Sequence, residues 1–228
     1  MDAAIKKLAD NIWLLPFELK ALGVNIGRNV TIIRLESGQL IVHSTASFTA
    51  DDVARIRELG EPGWLVEGML DHDTFSKEGR MAFPGIPFFG PSEFGKRVDF
   101  DVISLDSPPS EWWPEVEVIR IDGAPGMAES VFFHHPSRTL VVCDLLFHFP
   151  NPPSLWAKLL LRAGLGSDPT PGFSKRLKLA IKDKAAFCAS LEKVMALEIQ
   201  RIVPGHGAVL ENDAKRLAGE KFASEGYA

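Results

Sequence analysis

The sequence predicts a mixed α/β fold, two β-sheets covered on their outer faces by helices. Three observations carry that expectation. Short apolar segments of strand character occur in two runs, one early and one in the middle of the chain. Amphipathic helical segments separate and follow those runs. A late apolar segment, residues 199–203, then reads as a buried strand ahead of a charged terminal helix. With 228 residues, 46% of them hydrophobic, the chain can bury a sizeable core, and 1–228 is expected to form one domain.

In order, residues 11–17 and 30–35 read as strands, Ser37-Gly38 as a turn and residues 39–43 as a third strand. Short turns between them imply antiparallel pairing. Thr49 followed by Asp51 and Asp52 marks a helix start, Val53, Ile56 and Leu59 give its apolar face, and Gly60 with Pro62 ends it. Residues 64–70 form the next strand, followed by Asp71-His72-Asp73-Thr74-Phe75 and a polar stretch to Met81. A turn at Phe83-Pro84-Gly85 leads into a short strand at 86–89. Residues 101–105 and 116–121 alternate as strands do, and 129–134 with 139–143 form a hairpin, with Asp144 directly after it. Its His134-His135 pair lies at the tip, where solvent is expected, while His43 has no evident partner and His148 lies near enough to Asp144 to line the same cleft. Helices follow at 185–197 and 211–223.

Composition excludes several classes. A formal charge of −5 gives no reason to expect a nucleic-acid partner. No apolar run approaches the ~20 residues of a membrane span. Charges at Asp2, Lys6, Lys7 and Asp10 interrupt any signal-peptide core, and the two distant cysteines, Cys143 and Cys188, read as reduced thiols. A cytoplasmic protein is the expectation.

Chemistry gathers at strand ends. In Ile202-Val203-Pro204-Gly205-His206-Gly207 the proline ends a strand, because it cannot donate to a ladder, and the glycines leave room beside one imidazole. Asp71-His72 and Asp144 also stand just after apolar strands. Residues at the ends of neighbouring strands converge on one rim. Carboxylates and imidazoles together suit a borderline divalent cation such as Zn²⁺, with Fe or Mn as alternatives. Plainer readings stand beside this: Asp71 as a helix cap, and Asp144 as a buried acid paired with a backbone amide.

These motifs, in this order and over most of the chain, resemble the metallo-β-lactamase superfamily. The resemblance implies a four-layer αββα sandwich and hydrolysis assisted by one or two metals. Pro-Gly-His-Gly resembles the family's last metal histidine, and Val-Val-Cys-Asp the strand that brings its bridging aspartate, here Asp144. The chain departs from the family's His-x-His-x-Asp-His signature. In one register Glu67 and Met69 replace the first-metal ligands, and Asp71 and His72 are kept. In the other, His72 takes the first histidine position, with Thr74 and Lys77 at later ones. Gly123 stands where a further histidine would precede Ala124-Pro125-Gly126, and Ser44-Thr45-Ala46 replaces an Asp-Thr-Gly-like turn. The resemblance therefore implies at most one metal, held by Asp71, His72, Asp144 and His206, with Asp144 or Glu67 taking a proton from water and an unnamed small molecule as substrate. Four protein ligands close a tetrahedral site, which is in tension with catalysis. The alternative is a non-catalytic sandwich whose cleft binds a small molecule or a partner.

Residues 151–184 differ in character. Pro152, Pro153, Pro169 and Pro171, the apolar Leu155-Trp156 and Leu159-Leu160-Leu161, and a basic series from Lys158 to Lys184 suggest a helical insertion around a loop at 164–172. The segment resembles a degenerate branch of the superfamily, and that likeness carries no activity of its own. Its positive charge suits a solvated face, an anionic substrate or lipid headgroups.

Overall fold

The computed structural model describes residues 4–152, 154–165 and 171–227. Its strands are β1 (Lys6–Ala9), β2 (Ile12–Phe17), β3 (Lys20–Ala21), β4 (Val24–Asn25), β5 (Arg28–Arg34), β6 (Gln39–His43), β7 (Glu61–Val66), β8 (Phe88–Gly90), β9 (Ile103–Ser104), β10 (Val116–Arg120), β11 (Ser130–His134), β12 (Thr139–Val141) and β13 (Arg201–Val203). One sheet runs β1-β2-β5-β6-β7-β8-β9, a second β10-β11-β12-β13, and β3-β4 is a separate hairpin. The helices are α1 (Ala50–Leu59), α2 (Ser76–Ala82), α3 (Leu155–Leu165), α4 (Lys175–Ala180), α5 (Lys184–Ala196) and α6 (Ala214–Ser224). Strands linked by turns pair antiparallel. Where α1 intervenes between β6 and β7, the strands pair parallel, because a parallel return needs a crossover.

Strand alternation produces the layers. Ile12 and Leu14 of β2 join Ile41, Val66, Phe132, Val141 and Val203 between the two sheets. Trp13 and Leu15 point the other way, into a layer with Ile56 of α1 and Phe83. On the far face of the second sheet, Val131, Phe133, Leu140 and Ile202 pack on Leu177, Phe187, Leu191 and Phe222 of α4, α5 and α6. The result is helix, sheet, sheet, helix. Thr49 caps α1 through a reciprocal box with Asp52.

Several local expectations change. β7 begins at Glu61 and ends at Val66. Pro62 enters the sheet opposite Leu40, next to a register shift at which Gly63 is the extra residue. Residues 70–75 then form a 3₁₀ turn, and the polar stretch after it is α2. Only two residues pair at β9. β1 and the β3-β4 hairpin were not anticipated. His134 is buried, not solvated, with Nδ1 2.7 Å from Ser137 Oγ. In the 151–184 segment, α3 and α4 are present. Pro153 and, of the expected 164–172 loop, residues 166–170 lie outside the described residues. Gly172 pairs with Phe147 through backbone bonds of 2.7 and 3.0 Å.

Candidate metal centre

Three loops meet at one rim of the sandwich. The 3₁₀ turn after β7 brings His72, the loop after β12 brings Asp144, and the Pro-Gly turn after β13 brings His206. One ligand atom from each lies within 4.8 Å of the others. His72 Nε2 is 3.2 Å and His206 Nε2 3.5 Å from Asp144 Oδ1. Both imidazoles are buried, and Asp144 is partly open to solvent.

The loops are tied to each other and to β5. Gly205 N donates to Cys143 O (3.0 Å), and Asn29 N to Gly205 O (2.9 Å). Asn29 Nδ2 donates to Pro204 O (2.8 Å) and Gly207 O (2.9 Å), which fixes the turn on both sides of His206. Gly205 is a steric necessity: a Cβ there would lie 2.7 Å from His72 Cε1 and 2.8 Å from Cys143 O. Buried Glu129 accepts from Cys143 N (2.7 Å) and Asp144 N (3.1 Å), setting the aim of Asp144. Burial, helped by the Asp144 charge, pushes the Glu129 carboxyl up to about 8.

Proton placement favours a cation here. His206 Nδ1 lies 2.5 Å from Gly27 O. A carbonyl only accepts, so Nδ1 holds the proton and the Nε2 lone pair faces the Asp144 oxygen. A buried imidazole lone pair and a partly open carboxylate then face each other, with no positive group between them among the described residues. His72 has two options. With its proton on Nε2 it donates to Asp144. With it on Nδ1 it faces Ser44 Oγ (3.4 Å), whose own proton goes to Glu67. Burial, with the Arg28 charge, lowers His72 to about 3, and burial likewise lowers His206, so both rings are neutral near pH 7. For Asp144, burial acts upward, but His72, His206 and Arg28 outweigh it and hold the carboxyl at about 2. Two neutral imidazoles and one carboxylate fit a divalent cation.

Two residues expected in the site are elsewhere. Asp71 does not join the cluster: its Oδ1 accepts from Arg97 Nη1 (3.2 Å), and Arg176 Nη2 lies 2.6 Å from Oδ2, a close ion pair without hydrogen-bond alignment. The backbone kinks at His72 within this 3₁₀ turn, and Asp71 lies toward Arg97 and Arg176 while His72 faces Asp144. Glu67 is fully buried and engaged. Arg28 Nη2 donates to both its oxygens (3.0 and 2.9 Å), Thr45 N to Oε1 (2.7 Å), and the Thr45 and Ser44 hydroxyls also donate to it. Burial raises the Glu67 carboxyl, while Arg28, Thr45 and Ser44 pull it down. Such a carboxylate has no opening toward a water.

Ser44 and Thr45, standing where the resemblance places an Asp-Thr-Gly turn, thus buttress Glu67. Arg28 further donates to Thr45 O (3.2 Å) and His72 O (3.1 Å). Gly123, at φ +81°, leaves no room for an imidazole, since a Cβ would meet Asp183 O at 2.1 Å. His43 packs on Phe132 with its Nε2 3.9 Å from the Cys143 sulfur. His148 contributes its backbone carbonyl, which accepts from Ala208 N (2.7 Å). Arg28, Asn29 and Glu129 were missed by sequence reasoning. Their only signal is a polar residue at the start of an apolar strand.

A cavity of ≈ 750 Å³ adjoins the centre through Gly27, Asn29 and Gly207, walled by Phe17, Val24, Phe149 and Leu161. None of the three candidate ligands lines it.

Comparison with known proteins places the fold. Neither the family models nor the curated proteins give a match. Solved structures do. DIM-1 metallo-β-lactamase aligns at TM-score 0.68 and 15% identity, covering 99% of both chains. A metallo-β-lactamase from Pontibacter korlensis aligns at 0.67 and 13%, covering 97% of this chain and 98% of that one. The 1–254 fragment of diflavin flavoprotein A 5 from Nostoc sp. PCC 7120 aligns at 0.70 and 11%, covering 99% and 98%. The chain has the metallo-β-lactamase fold, with a His-Asp-His group able to hold a metal ion. At these identities the likeness is one of fold, and the fold carries no reaction with it.

Proposed function

We propose that this protein is a metal-dependent hydrolase with a single-cation centre formed by His72, Asp144 and His206. The observation that supports it is the convergence of these three ligand atoms within 4.8 Å, with a buried His206 lone pair aimed at Asp144. Three protein ligands, rather than the four expected from sequence, leave the open position that a catalytic site needs. A cation bound there supplies Lewis acidity toward a carbonyl or phosphoryl oxygen and toward water.

The protein's own groups do the rest. His72 and His206 offer Nε2, each backed by an outer partner on Nδ1, Ser44 Oγ and Gly27 O. Asp144, ionised and partly open to solvent, is the proton acceptor at the rim. Glu129, Asn29 and Arg28 hold the three loops in place.

A second reading, a sandwich that binds without cutting, has one observation in its favour. The Arg28–Glu67 pair fills the region where the resemblance places first-metal ligands. Elemental analysis of protein purified without chelator or metal-affinity tag separates the two. About one Zn, Fe or Mn per chain, lost in both Asp144→Ala and His206→Ala, is expected for a mononuclear site. It should accompany hydrolysis in an ester, thioester and phosphodiester screen. Wild-type protein that takes up no metal even after incubation with Zn²⁺ sinks the hydrolase reading. Metal without turnover favours the binding one.

A further inference from the structure

α3 is amphipathic the wrong way round for a helix that only packs on a core. Ala157 and Leu161 are buried, whereas Leu155, Trp156 and Leu159 are 81%, 61% and 62% exposed. At 3.6 residues per turn these three fall within an arc of about 100°, with Lys158 on one flank. A helix of a water-soluble domain ordinarily turns its apolar stripe inward and its polar face out. Beside it, α4 exposes Leu179 (75%).

The charge on these helices runs against the rest of the molecule. The chain carries −5 overall, yet neither Leu-Trp-Ala-Lys-Leu-Leu-Leu-Arg-Ala-Gly-Leu nor Lys-Arg-Leu-Lys-Leu-Ala contains an acid. Arg176 and Lys178 are occupied by Asp71 and Glu225, while Lys158 and Lys175 have no ion pair among the described residues. An exposed tryptophan and leucines flanked by lysine, with no carboxylate between, match the boundary between lipid headgroups and acyl chains. A second copy of this chain on the same face would oppose lysine to lysine, so charge disfavours self-association there.

We propose that α3, with Leu179 of α4 beside it, is a peripheral docking surface for an anionic lipid bilayer. Among the described residues no helix is long and apolar enough to cross a membrane, so the contact is made at the surface. Trp156 and Leu159 enter the headgroup boundary, and Lys158 and Lys175 meet the anionic headgroups. The proposal is independent of metal binding.

The test is co-sedimentation of the full chain with vesicles of phosphatidylcholine alone or mixed equally with phosphatidylglycerol. Binding is expected to the mixed vesicles, to weaken as salt is raised, and to be slight with phosphatidylcholine alone. Replacing Trp156 and Leu159 together by alanine should weaken it at least about tenfold, given the apolar area withdrawn. Lys158→Glu should weaken it roughly tenfold, with its effect fading in high salt. These side chains are exposed, so thermal unfolding should not move. No sedimentation with either vesicle overturns the proposal, as does equal binding by wild type and the Trp156/Leu159 variant. A concentration-dependent dimer that the same variant abolishes also overturns it, and assigns the face to self-association.

Discussion

Two charge centres lie side by side at the rim, one closed and one partly open, and they are built on opposite plans. Around Glu67 the chain supplies everything: the Arg28 guanidinium, the Thr45 amide and two hydroxyls surround a carboxylate with no exposure. Around Asp144 the nearest partners are two neutral imidazoles, one of which turns a lone pair toward it. The first centre carries its own covalent cation. The second lacks one and is partly open to solvent. His72 belongs to both, through its carbonyl to Arg28, its Nδ1 to Ser44 and its Nε2 to Asp144. Through His72 the closed centre braces the His-Asp-His group beside it.

The largest effect should come from breaking the closed centre. Glu67→Ala leaves Arg28 buried without its counter-charge, and loss of one member of such a pair costs about 3–5 kcal/mol. Urea denaturation of Glu67→Ala, Arg28→Ala and a paired Arg28→Met/Glu67→Leu variant checks this. The double variant should lose less than the sum of the singles. Independent, additive losses would show that the two residues are not coupled.

Next comes the seam between the two centres. Gly205→Ala sets a methyl against His72 Cε1 and the Cys143 carbonyl, and the carbonyl cannot give way. About 2–3 kcal/mol of destabilisation is expected from such overpacking, together with reduced metal uptake. Unchanged melting and full metal content would mean the approach of the two loops is looser than the geometry implies.

A smaller effect should appear at a histidine that belongs to neither centre. Burial lowers His134 to about 4, and its Nε2 has no hydrogen-bond partner among the described residues. Its folded pKa lies below the ordinary value, so the neutral ring's contribution is present above about pH 6.5 and is lost as pH falls toward 4. His134→Gln should therefore flatten the acid side of the stability curve by on the order of 1–2 kcal/mol. Parallel curves for variant and wild type between pH 6.5 and 4 would remove His134 as a contributor. The smallest effect belongs to Asp71. Asp71→Asn breaks ion pairs with the exposed Arg97 and Arg176, worth less than about 1 kcal/mol, and should leave metal content unchanged. Metal lost in that variant would return Asp71 to the ligand set.

Much of the fold was legible in the sequence because its signals are local. The Thr49 cap with Asp51 and Asp52 in the first turn, and the short apolar runs of β2, β5, β6 and β11 bounded by turns, are written within a few residues. His206 was legible for a related reason, since proline and glycine mark the strand end that presents it. Asp71 misled because its sequence neighbourhood equals that of His72. Which of the two faces inward depends on a 3₁₀ turn that follows an earlier end to β7. Glu67 misled because its partner, Arg28, lies 39 residues away.

The sequence by itself determined the layers, the strand ends and the candidacy of His72, Asp144 and His206, because periodicity and turn chemistry act through adjacent residues. Only the tertiary structure decided that Glu67 is closed off by Arg28, that Asp71 faces Arg97, and that Asn29 and Glu129 hold the loops. Those outcomes rest on desolvated charges and donors finding partners across long separations. Such pairings leave no periodic mark on the chain that makes them.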